Sequence, residues 1–208
     1  MALAVLSVLL SQTQLLHSSV EIGSISEVRG NAQVLRDKAY GAELQFDIQQ
    51  MDDVRTESGR VAITFEDNST VKLTEHSKLV IDEYIYDPDP SKSKMALQFA
   101  SGTARFITGK FNNKSNISIR TPTADIAIRG TDFTCTVDEL GRSLVILLPD
   151  ENGISSGEIL VSTAMGSVTL NKPYQATTVS VYENNPTKPV TLDISLDLID
   201  NMLIVNPP

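Results

Sequence analysis

The chain has 208 residues, 41% hydrophobic and 21% charged, with one Cys and no Trp. That length suits one domain with a core of its own, and the composition excludes a disulfide-rich miniprotein, a collagen-like repeat and a disordered chain. With 17 Lys and Arg against 26 Asp and Glu the net charge is −9; no basic patch interrupts it, so nucleic acid is not expected as a partner.

The apolar run at residues 1–10, MALAVLSVLL, is half the ~20 residues that a membrane helix needs. It has the length of a signal-peptide core, but no Lys or Arg precedes it and no Ala-x-Ala site follows. Residues 1–20 therefore read as a signal peptide, a packed extension or a mis-set start.

Beyond residue 20 the hydrophobic beat is two. Val61, Ile63 and Phe65 alternate with polar or small neighbours, and so do Val71/Leu73, Leu79/Ile81 and Leu97/Phe99. The beat returns at Ile117/Ile119, Ile126/Ile128, Phe133/Cys135/Val137, Val145/Leu147, Ile159/Val161, Val168/Leu170 and Val179/Val181. Such alternation marks half-buried strands. Turn residues separate them: Asp67-Asn68-Ser69, Asp138 to Gly141, Asn152-Gly153 and Met165-Gly166-Ser167. Asp87 to Lys94 (DPDPSKSK) reads as an exposed loop, because its prolines donate no ladder bond. The expected fold is all-β, an antiparallel-rich sandwich or short solenoid-like β-roll with little helix. Residues 21–182 form the domain, and 183–208 form a C-terminal loop and strand extension with a strand over 191–198.

Motifs of reaction chemistry are weak. Gly153-Ile154-Ser155-Ser156-Gly157 fits the G-x-S-x-G of a nucleophile elbow, but that motif needs a strand-to-helix turn and a later His. Both histidines, His17 and His76, precede it. The acidic pairs Asp52-Asp53, Asp82-Glu83 and Asp150-Glu151 suit a hard cation in residue type, yet none follows a calcium-loop spacing. Cys135 falls on a strand's buried beat, the habitat of an inert thiol. No catalytic residue, metal ligand or cofactor is expected.

Three spaced blocks carry a resemblance. Ile25-x-x-Val28-x-Gly30-x-Ala32-x-Val34 opens the array. Asp53-Val54-x-Thr56 leads through Gly59 to Ala62-x-x-Phe65-x-Asp67-x-Ser69. Thr121-Pro122-Thr123-Ala124 runs into Ile128-Arg129-Gly130-Thr131-x-Phe133. Together, over residues 22–170, they resemble the FecR domain. Physically, Pro122 fixes φ at a strand start, Ala124 fits a close contact, Gly130 permits a bulge or close approach, and Arg129 offers a planar fork to carbonyls or a carboxylate. Arg129 is therefore expected to fasten the fold, a ligand contact being the alternative. Thr121, Pro122, Ala124, Arg129, Gly130, Thr131 and Phe133 are the motif residues singled out, as structural positions that could also serve an interaction.

The resemblance implies an all-β, extracytoplasmic module. In familiar members that module relays a receptor's state through a membrane helix to a sigma-factor regulator. This sequence shows neither the regulatory domain nor the internal membrane helix of that layout. The expectation is a non-catalytic, stand-alone protein-interaction or scaffold module, periplasmic or secreted, that binds protein partners or associates with itself through β edges. The alternatives are a structural protein of a bacteriophage virion and an envelope signalling component.

Overall fold

The computed structural model describes residues 21–87, 89, 91–109, 116–182 and 185–197. Within them the chain forms seventeen strands. The first half holds β1 (Glu21–Arg29), β2 (Ala32–Leu35), β3 (Ala39–Gly41), β4 (Asp47–Gln49), β5 (Asp53–Thr56), β6 (Arg60–Phe65), β7 (Thr70–Leu73) and β8 (Lys78–Ile85). The long β9 (Lys94–Ile107) comes next. After it run β10 (Asn116–Arg120), β11 (Asp125–Arg129), β12 (Asp132–Val137), β13 (Ser143–Leu147), β14 (Glu158–Thr163), β15 (Gly166–Leu170), β16 (Gln175–Val179) and β17 (Val190–Thr191).

Two sheets result. One runs β4-β1-β6-β7-β9-β12-β13-β16-β17. The other runs β3-β2-β5-β8-β9-β10-β11-β14-β15. Among the described strands every pairing is antiparallel except β9 with β10. The sheets share β9: residues 94–101 pair with β8, whereas 102–107 pair with β12. The switch falls at Gly102, whose φ is +93° and whose absent Cβ leaves room for Ser77. Any side chain there would be strained and would overlap that serine.

The period-two beat puts its apolar members between the sheets. In β10 and β11 Ile117, Ile119, Ile126 and Ile128 are buried while their neighbours face outward. Aromatic rings join the layers: Phe65 stacks on Tyr84 of the opposite sheet at 5.3 Å, and Phe99 meets Phe106 edge-on at 5.9 Å. Each fully buried side chain of this size contributes about 1.5–3 kcal/mol, so the mixed core of both sheets holds the sandwich shut.

The second half of the chain is wound as a roll. Hairpins β10–β11 and β14–β15 lie in one sheet, and β12–β13 and β16–β17 in the other. The antiparallel registers place all four hairpin tips at one end, here the upper end. The crossovers between sheets, at Gly130, residues 148–157 and residues 171–174, gather at the lower end. The all-β expectation holds, and sandwich and roll turn out to be two descriptions of one winding. Among the described residues no helix is long and apolar enough to cross a membrane.

The C-terminal piece differs from its expected strand over 191–198. Only β17, Val190–Thr191, pairs, and it does so along β16. After it Leu192 donates its N–H to the Tyr174 carbonyl (2.9 Å), and Ile194 and Leu196 pack against Leu148, Ile146 and Tyr174. The alternation of Leu192, Ile194 and Leu196 thus serves a strap across the outer face of a sheet rather than another rung. Residues 1–20, Pro88, Pro90 and residues 198–208 lie outside the described residues.

Candidate functional site

The motif residues sit where the chain turns or changes sheet. In the β10–β11 tip, Thr121 donates its N–H to the Ala124 carbonyl (2.9 Å), and its Oγ1 accepts the Ala124 N–H (3.0 Å). Ser143 Oγ lies 2.7 Å from the hydroxyls of both Thr121 and Thr123, and Thr123 donates to the Gly141 carbonyl (3.0 Å). One turn in one sheet is thereby tied to the next hairpin in the other. Pro122 stands exposed at the apex, with the φ that a turn needs already set. Ala124 is buried beneath it.

Arg129, Gly130 and Thr131 form the crossover from β11 to β12. Gly130 has φ +56°, and Gly157 lies so close that a Cβ on it would overlap the Gly130 and Arg129 carbonyls. Arg129 is two-thirds exposed and reaches Glu158 across the strand at 3.5 Å, a carboxylate tie in the weakest class of ion pair. Thr131 is buried; its carbonyl accepts from the Thr108 N–H (3.0 Å) and hydroxyl (3.1 Å), while its own hydroxyl has no partner. Phe133 is fully buried and stacks on Phe106 at 5.0 Å. The block's residues are adjacent along the crossover but do not converge on one cleft.

The Asp67 turn proves more specialised than its sequence suggests. Asp67 is fully buried. Its carboxylate accepts from the Ser69 N–H (3.1 Å), the Ser69 hydroxyl (2.5 Å) and the Tyr84 hydroxyl (3.1 Å). The phenol oxygen in turn receives the Asp67 N–H (3.0 Å), and Ser69 Oγ receives the Gly109 N–H (2.9 Å). Burial, with the neighbouring Asp67 charge behind it, drives the Tyr84 phenol well above its ordinary pKa. Its protonated form is thus fixed as a donor.

Asp52 tells a similar story. It is fully buried and receives Arg36 Nε (2.7 Å), Arg36 Nη2 (2.8 Å) and the Gln49 N–H (2.8 Å). The Arg36 guanidinium also lies 5.6 Å from the Phe46 ring centre, within cation–π range. Its sequence neighbour Asp53 instead pairs with Arg55 at 2.7 Å. The acidic doublet is therefore split between two arginines. Glu83 likewise pairs with Lys94, and Asp82 accepts from Gln98. Among the described residues no three His, Cys, Asp or Glu side chains are grouped to hold a metal ion. Arg36 was not legible as a partner, because sixteen residues separate it from Asp52.

Ser155 lies in the lower crossover loop and donates to the Gly157 carbonyl (2.8 Å). Its hydroxyl is engaged by the loop's own backbone. Cys135 is fully buried in β12, and burial pushes its thiol up to about 12, away from the thiolate that a nucleophile needs. Two open cavities are of note. One, about 510 Å³, is lined at the lower end by Arg105, Thr108, Thr131, Asp132, Glu151 and Ser156. In it Arg105 and Asp132 already satisfy each other through two bonds of 2.9 and 2.7 Å. The other, about 500 Å³, opens among the upper tips beside Thr121, Pro122, Met165 and Val181.

This arrangement defines a β-sandwich module whose motif residues are committed to its turns and crossovers. The chain belongs to the FecR protein family, whose model matches residues 52–168, more than half of the sequence. Two crystal structures of a candidate anti-sigma factor from Parabacteroides distasonis ATCC 8503 share the fold, each with a TM-score of 0.53 at 15% identity. The similarity covers 68% of this chain and 60% of that one, so the chain spans less than two thirds of the length of these structural neighbours. No curated protein matches the chain.

Proposed function

We propose that the protein is a non-catalytic, extracytoplasmic interaction module that takes part in signalling or assembly at a cell envelope by binding another protein. The observation that supports this most is the FecR match itself, laid over a sandwich whose motif side chains fasten backbone instead of meeting in a reaction centre. The fold likeness to a candidate anti-sigma factor agrees with a role in signal relay. Ser155, the one sequence candidate for a nucleophile, spends its hydroxyl on a carbonyl.

Two measurements in the producing cells test the reading. Alkaline phosphatase fused behind residue 208 is expected to be active, since that enzyme matures only outside the cytoplasm; an inactive, stable fusion overturns the location. Crosslinking of intact cells is expected to join the chain to one protein in fixed proportion. A chain that stays uncrosslinked overturns the interaction.

A further inference from the structure

The two sheets end in four edge strands, β4 and β17 in one and β3 and β15 in the other, and they are not equally protected. An open strand edge invites pairing, and proteins guard it with brevity, charge, proline or a bulge. Strands β3 and β4 have three residues each, and Arg36 Nη2 occupies the Asp47 carbonyl of β4 (2.9 Å). Beside β16 the chain lays its own later residues: the Thr187 N–H reaches the Thr178 carbonyl (2.9 Å), and the two residues of β17 continue that cover. Strand β15, Gly166–Leu170, has none of these devices. It is the longest of the four, holds no charge and no proline, and keeps an unbroken register with β14. Among the described residues its backbone pairs with no other strand.

The groups it leaves open follow from the hairpin. Ala164 and Met165 form a two-residue loop, so Thr163 and Gly166 make a hydrogen-bonded pair. Alternation along an antiparallel ladder then turns the N–H and C=O of Ser167 and Thr169 away from β14. These two residues lie symmetrically about Val168, and their side chains are exposed on the outer face. Val168 faces the core but is only partly buried there, so the sheet's apolar interior is thinly closed along this edge.

We propose that β15 pairs antiparallel with β15 of a second copy of the chain, about a two-fold axis at Val168. That register answers every open group. Ser167 exchanges backbone bonds with Thr169 of the second copy, and Thr169 with its Ser167. Val168 meets Val168, a β-branched pair that completes the cover of the interior, and Gly166 lies opposite the bulkier Leu170. The hydroxyls of Ser167 and Thr169 come together across the strands, a type of cross-strand contact that stabilises a sheet and that Thr103 and Thr136 already make at 3.0 Å. Charge selects the same occupant. A net charge of −9 sets copies of the chain against one another, yet between residues 159 and 182 the only charged side chain is Lys172, in a sequence that is 21% charged. Two acidic copies can therefore meet strand to strand here with no carboxylate facing a carboxylate, whereas a basic partner finds no acid on β15 to draw it. The contact is isologous and consumes both open edges, so association stops at two.

Sedimentation velocity of the full chain over a wide concentration range tests the pairing. The expected result is a monomer that passes to a dimer, with no larger species. Thr169→Pro removes an outward N–H without touching the β14 ladder, and Thr169→Lys places a guarding charge on the edge. Each is expected to weaken the dimer at least about tenfold while the circular dichroism and melting temperature of the monomer stay those of the parent. Oxidation of mixed Ser167→Cys and Thr169→Cys chains is expected to join residue 167 of one copy to 169 of the other, whose Cα atoms in such a pair stand ~5.5 Å apart. A chain that remains monomeric throughout overturns the proposal, which includes the case in which residues 1–20 or 198–208 fill the edge. So does a dimer that both Thr169 variants leave intact, or growth beyond two. The outcome is independent of crosslinking to another protein in cells, which alone decides the interaction reading above.

Discussion

Both ends of the sandwich bury hydroxyls that fasten backbone, Thr121 and Ser143 at the upper end and Ser69 and Thr131 at the lower, but they differ in where they place a carboxylate. At the lower end Asp67 and Ser69 are buried in the β6–β7 turn of one sheet and Thr131 in the crossover from β11 to β12, where backbone groups must find partners away from water. At the upper end Asp138, Thr163 and Ser180 lie nearer solvent and fasten tips whose apolar residues point out. The lower end buries a carboxylate to close the fold. The upper end exposes apolar surface that the fold does not need. Stability is therefore expected to concentrate at the lower end.

Asp67→Ala tests that division most strongly. It removes the acceptor of three hydrogen bonds and leaves buried donors on Ser69 and Tyr84 unmet, a loss of about 3 kcal/mol. Urea denaturation should show it as a lower midpoint with an unchanged slope. Asp138→Ala at the upper end should cost visibly less, because water reaches the groups it frees. Desolvation pushes the Asp138 carboxyl up, but the bonds from Arg142 and the Leu140 N–H outweigh it and hold the group below its ordinary value. Equal losses at the two positions would erase the contrast between the ends.

The same corner predicts an alkaline limb. The Tyr84 pKa is raised in the folded state, so above the unfolded value of about 10 the unfolded chain has released a proton that the folded chain keeps. Stability is full below that pH and falls as pH rises beyond it. Tyr84→Phe should flatten the decline between about pH 10 and 11, even as it lowers stability at neutral pH. A wild-type profile that stays level to pH 11 would contradict the buried phenol.

Gly130→Val addresses the crossover itself. A β-branched residue at φ +56° is strained, which should cost about 2 kcal/mol. Its neighbour should respond in the other direction. Thr131 has a buried hydroxyl without a partner, and valine has nearly the same shape with nothing to satisfy. Thr131→Val is expected to stabilise by about 1 kcal/mol, read as a rise in melting temperature. A loss instead would mean that the hydroxyl has a bound water.

Most of the strand order was legible because the apolar beat depends on burial alone, and Ile117 to Ile128 or Phe133 to Val137 lie between the sheets as alternation requires. The alternation misled at Ile194 and Leu196, since the same beat also fits a strap across a sheet's outer face, and at Val181, which lies past the end of β16 and is exposed. Turn chemistry located Asp67-Asn68-Ser69 but not its depth. Whether a polar turn faces water is decided by what packs on it, here Tyr84 and Gly109, seventeen and forty residues further on. The clustering of the upper tips was illegible for the same reason. Leu140, Met165 and Tyr182 are single apolar residues in separate turns, and only the winding of the roll brings them together.

Arg129 carries the smallest expected effect and the sharpest choice. The sequence suggests a fork that fastens the fold. In the structure the guanidinium is mostly exposed and holds Glu158 at 3.5 Å, in a geometry worth a few tenths of a kcal/mol at most. Arg129→Ala should shift stability by less than about 0.5 kcal/mol, within the range of ordinary surface changes. Glu158→Ala should match it, and the double variant should show no coupling beyond that amount. A coupling above about 1.5 kcal/mol would return Arg129 to the lower end's set of fasteners. A small one leaves its exposed guanidinium with no structural duty large enough to require an arginine there, and turns attention to what the side chain meets outside the fold.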